Sequence, residues 1–191
     1  MRLFGAAAER KGLGVQLAFG GAYYGIVDVA ELGMRVVPEQ VDALARAGAA
    51  ITEALRRDHA PTHPTDARLD FVGGTVLVDS DPGSSPDGLA REATIRTVTV
   101  FADTEVDRSP SGSGTSAILA TRYALGGAEV GDELISAGIT GEAFVARIEG
   151  TTGLGDREAI RVSVQGRGFV TGHHTYLVDD RDPLASGFLL R

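Results

Sequence analysis

The segment from Thr115 to Leu125 constrains the fold most strongly, because its apolar residues do not keep to one side of a helix. A helix with an apolar surface on most sides is stable only when other elements surround it. The segment therefore predicts a buried helix enclosed by a sheet. The apolar side chains that cover more than one face belong to Ile118, Leu119, Ala120, Tyr123 and Leu125.

Short β-rich runs separated by glycine turns make up most of the remaining chain. A second helix is predicted at 37–59, where apolar residues such as Leu44 and Leu55 recur at helical spacing. The segment from Asp79 to Gly88 is predicted to be a surface loop because of its Gly, Pro and Ser content. Strands dominate this mixture, which predicts an α+β fold. The strand predictions cover 15–19, 23–29, 69–78 (one strand or a pair), 93–101, 135–139, 143–149, 159–166 and 168–178.

Composition excludes several classes of protein. The chain has 191 residues, enough for one domain with a sizeable core. Its formal net charge of -8 argues against nucleic acid or an anionic membrane surface as a partner. No apolar run approaches the roughly 18 residues of a membrane span, and no secretory signal is recognisable, which indicates a cytoplasmic setting. The chain contains no cysteine, which excludes disulfides, thiolate metal sites and thiol catalysis within it.

A Ser/Gly-rich loop, DRSPSGSG, precedes the predicted buried helix. N–H groups at the start of a helix lack intrahelical acceptors and carry partial positive charge, so those of Ser111 to Thr115 predict an anion pocket. A nucleotide phosphate loop needs a Lys after the final Gly, where this chain has Thr115, and a small carboxylate is the better ligand. Asp107 lies just upstream and could hold an ammonium group. The loop therefore fits an amino acid; the alternative is an ordinary helix cap.

The same loop resembles part of a known family. DRSPSGSGTSA is similar to the DRSPCGTGTSA signature of the proline racemase family at nine of eleven positions. Further segments resemble that family in the expected order: LAFGGAYYGIVDVAELGM, GDELISAGITGEAFVARI and the closing GRGFVTGHHTYLVDDRDPLASGFLL. The family includes hydroxyproline 2-epimerases and trans-3-hydroxyproline dehydratases. The resemblance runs from Val15 to Arg191 and corresponds to the later, larger part of a full-length member.

The resemblance implies a diaminopimelate-epimerase-like lobe, in which a β-rich sheet curls around a central buried helix. It also implies a cofactor-independent isomerase that inverts the α-carbon of proline or hydroxyproline with two opposed acid/base groups and no metal, pyridoxal or nucleotide. On this basis Asp107 binds the ring nitrogen of the substrate, and Gly112 and Ser113 donate backbone N–H groups to its carboxylate. Ser111 stands where the family has its second catalytic cysteine.

The first catalytic cysteine of the family belongs to an earlier lobe with a motif of the type MCGH, and no such motif occurs here. Residues 1–191 are therefore expected to form a single second lobe with its closing strands, while a homodimer or a partner chain could supply the first. The chain is then a fragment, half of a split enzyme, or a non-catalytic amino-acid-binding module. A dehydratase-like lyase is a further alternative, because that branch also lacks the second cysteine and eliminates with one base.

The isolated chain is predicted to have no proline racemase or 4-hydroxyproline epimerase activity, because both thiol proton carriers are absent. Deuterium incorporation at the α-carbon of L-proline in deuterated water should not exceed that of a control without protein. Loss of optical rotation from L-proline would contradict the prediction.

Overall fold

The computed structural model describes residues 13–80, 94–101 and 104–188. These residues form seven β-strands, two α-helices and three short 3₁₀ turns. The two α-helices are α1 (Val41–Asp58) and α2 (Gly112–Ala124). The strands are β1 (Gln16–Phe19), β2 (Tyr23–Asp28), β3 (Val72–Asp79), β4 (Thr94–Phe101), β5 (Glu133–Gly138), β6 (Ala143–Leu154) and β7 (Arg157–Gln165).

The seven strands form one mixed sheet in which the spatial order follows the chain from β1 to β7. Two neighbouring pairs are parallel, β2 with β3 and β4 with β5, and the other pairs are antiparallel. Parallel neighbours need a crossover connection, and each parallel pair has a helical one: α1 joins β2 to β3, and α2 joins β4 to β5.

The two helices lie on opposite faces of the sheet. Successive side chains of a strand point to opposite faces, so Ile26 and Val76 pack in one cluster with α2. Their neighbours Val27 and Leu77 pack in a second cluster that includes Leu44 of α1. Strands in the middle of the sheet are therefore buried on both sides, as the burial of nearly every residue of β3 shows.

The sheet curls around α2. Helix α2 contacts β1 and β7, which are the two edge strands, as well as β2 and β6. In a flat sheet the edges of seven strands would lie about 28 Å apart, far more than the roughly 10–12 Å diameter of a helix. One helix can contact both edges only if the sheet is strongly curved. The prediction of an α+β fold with a buried helix inside a curled sheet is confirmed, and the buried residues of α2 are Gly114, Thr115, Ala117, Ile118, Leu119 and Thr121.

One predicted strand is wrong. The run at 168–178 was expected to be a strand, but it has no regular secondary structure and is exposed. A β-prone sequence forms a strand only where a neighbouring strand accepts its backbone hydrogen bonds, and no described strand pairs with this segment. Large apolar side chains in and after this run are consequently exposed: Phe169, Val170, Tyr176, Leu177, Val178, Leu184 and Phe188.

Asp79 also departs from its prediction as the first residue of a surface loop. It ends β3 and is buried, because its Oδ2 accepts hydrogen bonds from Arg35 Nε at 2.7 Å and from the backbone N–H of Val36 at 3.1 Å. The remainder of that predicted loop, from 81 to 88, lies outside the described residues. In the described part of the chain, neither α-helix has the length and apolar content that crossing a membrane requires.

The exposed apolar residues after β7 predict that the chain self-associates and binds a hydrophobic dye. The sedimentation coefficient of the protein and the fluorescence of the bound dye should both decrease in the double variant Phe169→Asp with Leu177→Asp. Leu125→Asp is the control, because Leu125 is 62% exposed at the end of α2, away from this segment in sequence. A stable wild-type monomer at high concentration that binds no dye would contradict the prediction.

Candidate functional site

The Ser/Gly loop ends at Ser111, which caps the first turn of α2. The Ser111 Oγ accepts a hydrogen bond from the N–H of Gly114 at 3.2 Å, and the side chain is only 3% exposed. Its backbone has φ 63° and ψ 116°, a conformation that non-glycine residues rarely adopt. Strain of this kind costs roughly 1–3 kcal/mol and persists where the surrounding structure fixes the backbone.

Two N–H groups of the first turn, those of Gly112 and Ser113, have no acceptor within the described part of the chain. A Cβ added at Gly112 would meet no atom within 4 Å, so this residue borders open space. Unpaired N–H groups and the helix dipole give this end of α2 a partial positive charge. The loop lies at the start of a buried helix, as expected, but only two of the five N–H groups from Ser111 to Thr115 are unpaired. The N–H groups of Ser111, Gly114 and Thr115 donate to Ser109 Oγ, to Ser111 Oγ and to the carbonyl oxygen of Ser111.

Asp107 is held in the same loop by a short chain of hydrogen bonds. Its Oδ1 accepts from the N–H of Ser109 at 2.8 Å, and the Ser109 Oγ accepts from the N–H of Ser111 at 3.1 Å. Its own N–H donates to the carbonyl oxygen of Thr99 on β4 at 2.9 Å. The half-buried carboxylate is thus fixed five residues before Gly112 in the chain, within the loop that leads into α2.

The rest of the loop is tied down on both sides. Thr115 Oγ1 donates to the carbonyl oxygen of Pro110 at 3.2 Å, and Thr140 Oγ1 donates to the carbonyl oxygen of Arg108 at 2.9 Å. Pro110 is buried, which removes the freedom of a surface loop. The loop is consequently preorganised by contacts to α2 and to the turn between β5 and β6.

The turn between β1 and β2 packs directly on the first turn of α2. A Cβ at Gly20 would collide with the carbonyl oxygen of Ser113 and the amide nitrogen of Ala117, so only glycine allows this approach. From β2, the hydroxyl of Tyr24 is hydrogen bonded to Ser113 Oγ at 2.8 Å. This bond was not predicted from the sequence. The signal available was the GGAYYG run itself.

Tyr23 is buried like Tyr24 but faces other residues. Its hydroxyl donates to the carbonyl oxygen of Thr62 at 2.9 Å, and its ring lies 5.0 Å from that of Phe19, which in turn contacts the His63 ring. Burial raises the pKa of the Tyr23 hydroxyl above its usual range, an effect that the positive charge of Arg157 opposes. Tyr23 therefore anchors the loop before β3 to the β1–β2 turn.

Among the described residues, the buried hydroxyl of Thr99 beneath the loop has no hydrogen-bond partner. A Cβ at Gly114 would lie 3.1 Å from Thr99 Oγ1 and 3.0 Å from Ser111 Oγ, so these groups crowd the same spot. An unpaired buried hydroxyl costs about 1–3 kcal/mol. The structure therefore tolerates two unfavourable features near this loop: the backbone conformation of Ser111 and the unpaired hydroxyl of Thr99.

The loop offers two unpaired N–H donors and one fixed carboxylate, and within the described residues it contains no activated base. The only side-chain hydrogen bond of Ser111 Oγ is the one from the Gly114 N–H, and no His or Lys contacts it within the described residues. His173 and His174 are exposed, far along the closing segment. In the ranges that the structure describes, no group of three or more His, Asp or Glu side chains is placed to hold a metal ion.

Comparison with known proteins identifies the family of this chain. The family model described as proline racemase matches residues 7–189, and the chain belongs to the proline racemase family. A trans-3-hydroxy-L-proline dehydratase of Bacillus cereus is 37% identical over 176 residues, which cover 92% of this chain and 51% of that protein. The chain spans about half the length of the curated relatives it matches.

Two solved structures share the fold. A probable proline racemase from Agrobacterium radiobacter, with bound carbonate, superposes with a TM-score of 0.82 at 32% identity, covering 98% of this chain and 53% of that one. A hydroxyproline epimerase from Agrobacterium vitis, with bound trans-4-hydroxy-L-proline, has a TM-score of 0.81 at 34% identity, covering 97% of this chain and 52% of that one. The diaminopimelate-epimerase-like lobe that the resemblance implied corresponds to this curled sheet around a buried helix.

The capping role of Ser111 predicts a measurable loss of stability in Ser111→Ala. The free energy of unfolding should fall by about 1 kcal/mol, because the N–H of Gly114 loses its acceptor while the backbone strain is the same for both residues. Urea unfolding followed by circular dichroism measures this difference.

Ser116→Ala is the matched control, because the Ser116 hydroxyl donates to the carbonyl oxygen of Gly112 from inside the helix. Its removal should change the stability by less than about 0.5 kcal/mol. Equal urea midpoints for the two variants would show that Ser111 is no cap.

Proposed function

We propose that this chain forms one half of a proline racemase-type site, which binds proline or a hydroxyproline and presents its α-carbon for cofactor-independent acid/base chemistry. The observation that carries the proposal is the pair of unpaired N–H groups at Gly112 and Ser113, beside open space and close in the chain to the fixed carboxylate of Asp107. A zwitterionic amino acid carries the two complementary charges.

The carboxylate of the ligand accepts hydrogen bonds from the N–H groups of Gly112 and Ser113. These donors are fixed before the ligand arrives, and the helix dipole adds to their attraction for an anion. When the α-proton leaves, negative charge spreads into this carboxylate, and the same donors stabilise it. The related racemase structure holds carbonate, an anion of similar shape, which supports a site for a small carboxylate in this family.

The ring nitrogen of the ligand faces Asp107. Proline and hydroxyproline carry a secondary ammonium group, and a charge-assisted hydrogen bond to a carboxylate is stronger than a neutral one. One Asp107 oxygen already accepts from the N–H of Ser109, which orients the carboxylate and leaves acceptor capacity for the ligand. The related epimerase structure holds trans-4-hydroxy-L-proline, a ligand of this class.

The acid/base groups come from a partner lobe. The chain has no thiol, and the Ser111 hydroxyl is bonded to the Gly114 N–H without a basic partner, so it is a poor base. A separate chain that packs on the exposed apolar segment after β7 would supply the missing groups, whereas a homodimer would bring only a second cysteine-free copy. Racemisation or epimerisation is the reaction of the assembled site, in the cytoplasm.

A dehydratase-like lyase is the second candidate. Its support is the 37% identity to a trans-3-hydroxy-L-proline dehydratase and the absence of a thiol at Ser111. Elimination of the 3-hydroxyl needs one base at the α-proton, which the partner lobe alone can provide. Product analysis of the assembled complex with trans-3-hydroxy-L-proline separates the two reactions, since only elimination releases water and yields an imino acid.

Titration of the isolated chain with L-proline and trans-4-hydroxy-L-proline tests the half-site. We expect the backbone amide resonances of Gly112 and Ser113 to shift most in two-dimensional NMR spectra, and pyrrolidine, which lacks the carboxylate, to leave them unchanged. Asp107→Asn should weaken binding about tenfold or more, since a hydrogen bond between charged groups contributes roughly 1.5–3 kcal/mol.

Asp132→Asn is the matched control for this titration. Asp132 accepts the N–H of Glu129 at 2.8 Å in an exposed turn, a local bond of the same kind as the one made by Asp107. It should bind L-proline like the wild type. Shifts confined to residues remote from the start of α2, or no shift at millimolar ligand, would sink the proposed half-site.

A further inference from the structure

We infer that Tyr24 is a positioning residue for the carboxylate-binding turn, because its buried hydroxyl holds Ser113 in the orientation that presents the Ser113 N–H to a ligand. The effect of Tyr24 on ligand binding rests on the proposed function. The Tyr24 hydroxyl lies 2.8 Å from Ser113 Oγ, and either atom can donate. Ser113 is one of the two residues with an unpaired N–H at the open end of α2.

Tyr24 is itself a rigid support. The residue is only 4% exposed and lies in the same apolar cluster as Ile26, Val76 and Ile118 of the sheet and α2. On β2 it pairs with Ala18 of one neighbouring strand and Gly74 of the other, so its backbone is fixed from both sides. A phenol ring that is packed this way holds its hydroxyl at one place with little conformational freedom.

The turn before Tyr24 holds the same residue from a second side. Gly20 approaches the carbonyl oxygen of Ser113 so closely that no Cβ would fit. The side chain of Ser113 is thus held by Tyr24 and its carbonyl group by Gly20. With both held, rotation of the Ser113 backbone is restricted and its N–H keeps one direction.

Preorganised donors bind a ligand more tightly than mobile ones, because the cost of ordering them is met during folding. The bond between Tyr24 and Ser113 therefore contributes to ligand affinity without contacting the ligand. Loss of one neutral hydrogen bond of this kind weakens an interaction by roughly 0.5–1.5 kcal/mol, which converts to about two- to tenfold in affinity.

Tyr24→Phe is the test variant, and Tyr123→Phe is its matched control. The hydroxyl of Tyr123 donates to Glu158 Oε1 at 2.9 Å near the other end of α2, in an exposed position. Each variant removes one hydroxyl from a ring that stays in place. We expect Tyr24→Phe to weaken L-proline binding about two- to tenfold, and Tyr123→Phe to bind like the wild type.

A double-mutant cycle separates positioning from general stability. Ser113→Ala removes the other half of the bond, so the combination of Tyr24→Phe with Ser113→Ala should lose no more affinity than either single change. Ser113→Thr keeps a hydroxyl and should retain the affinity. Additive losses in the cycle, or wild-type affinity in Tyr24→Phe, would overturn the inference.

A measurement without ligand tests the positioning role of Tyr24 independently of the proposed function. The backbone ¹⁵N order parameters of Gly112 and Ser113 should decrease in Tyr24→Phe and stay unchanged in Tyr123→Phe. If the wild type binds no proline but this decrease occurs, the proposed function fails while the positioning contact stands. Unchanged order parameters in Tyr24→Phe would refute the positioning role whatever the ligand result.

Discussion

The enclosure of α2 by the curled sheet is the constraint on which the other features depend. Both edge strands, β1 and β7, contact this helix, and the middle of α2 is largely buried between them. The N-terminal end carries the unpaired N–H groups of Gly112 and Ser113. The partial positive charge of the helix is therefore accessible at its N-terminal end, where a small anion can approach it. Nearby protein reduces the screening of this charge by water.

A rim of this kind becomes a site only when the loops around it are fixed. Three segments that are distant in sequence meet here: the loop at Asp107, the β1–β2 turn at Gly20 and the turn that contains Thr140. Each is anchored to a different part of the sheet. The strained backbone of Ser111 and the unpaired hydroxyl of Thr99 lie where these segments converge, which indicates that the fold tolerates local cost to keep this geometry.

Much of this arrangement could be predicted from the sequence, because local signals determine it. The apolar content of α2 predicted its burial, and the Ser/Gly run predicted its cap. The contact of Tyr24 with Ser113 could not be predicted, since it depends on how β2 registers against a helix 89 residues further along. The prediction of a strand at 168–178 was wrong because β-propensity is a local property, whereas a strand forms only where another strand pairs with it. The prediction that Asp79 lies in a surface loop was wrong because a loop-like composition does not reveal its ion pair with Arg35.

The hydrogen bond at Ser111 would have different chemical consequences for a serine and for a cysteine. The N–H of Gly114 points at the Ser111 Oγ, and a helix N-terminus stabilises an anion at such a place. A cysteine here would gain from that bond as a thiolate, because the donor and the dipole lower the pKa of a thiol toward neutral. A serine alcohol is far too weak an acid to ionise in the same field, so the identical bond only caps the helix. At this cap a single side-chain atom, oxygen or sulfur, therefore decides whether the group can ionise near neutral pH.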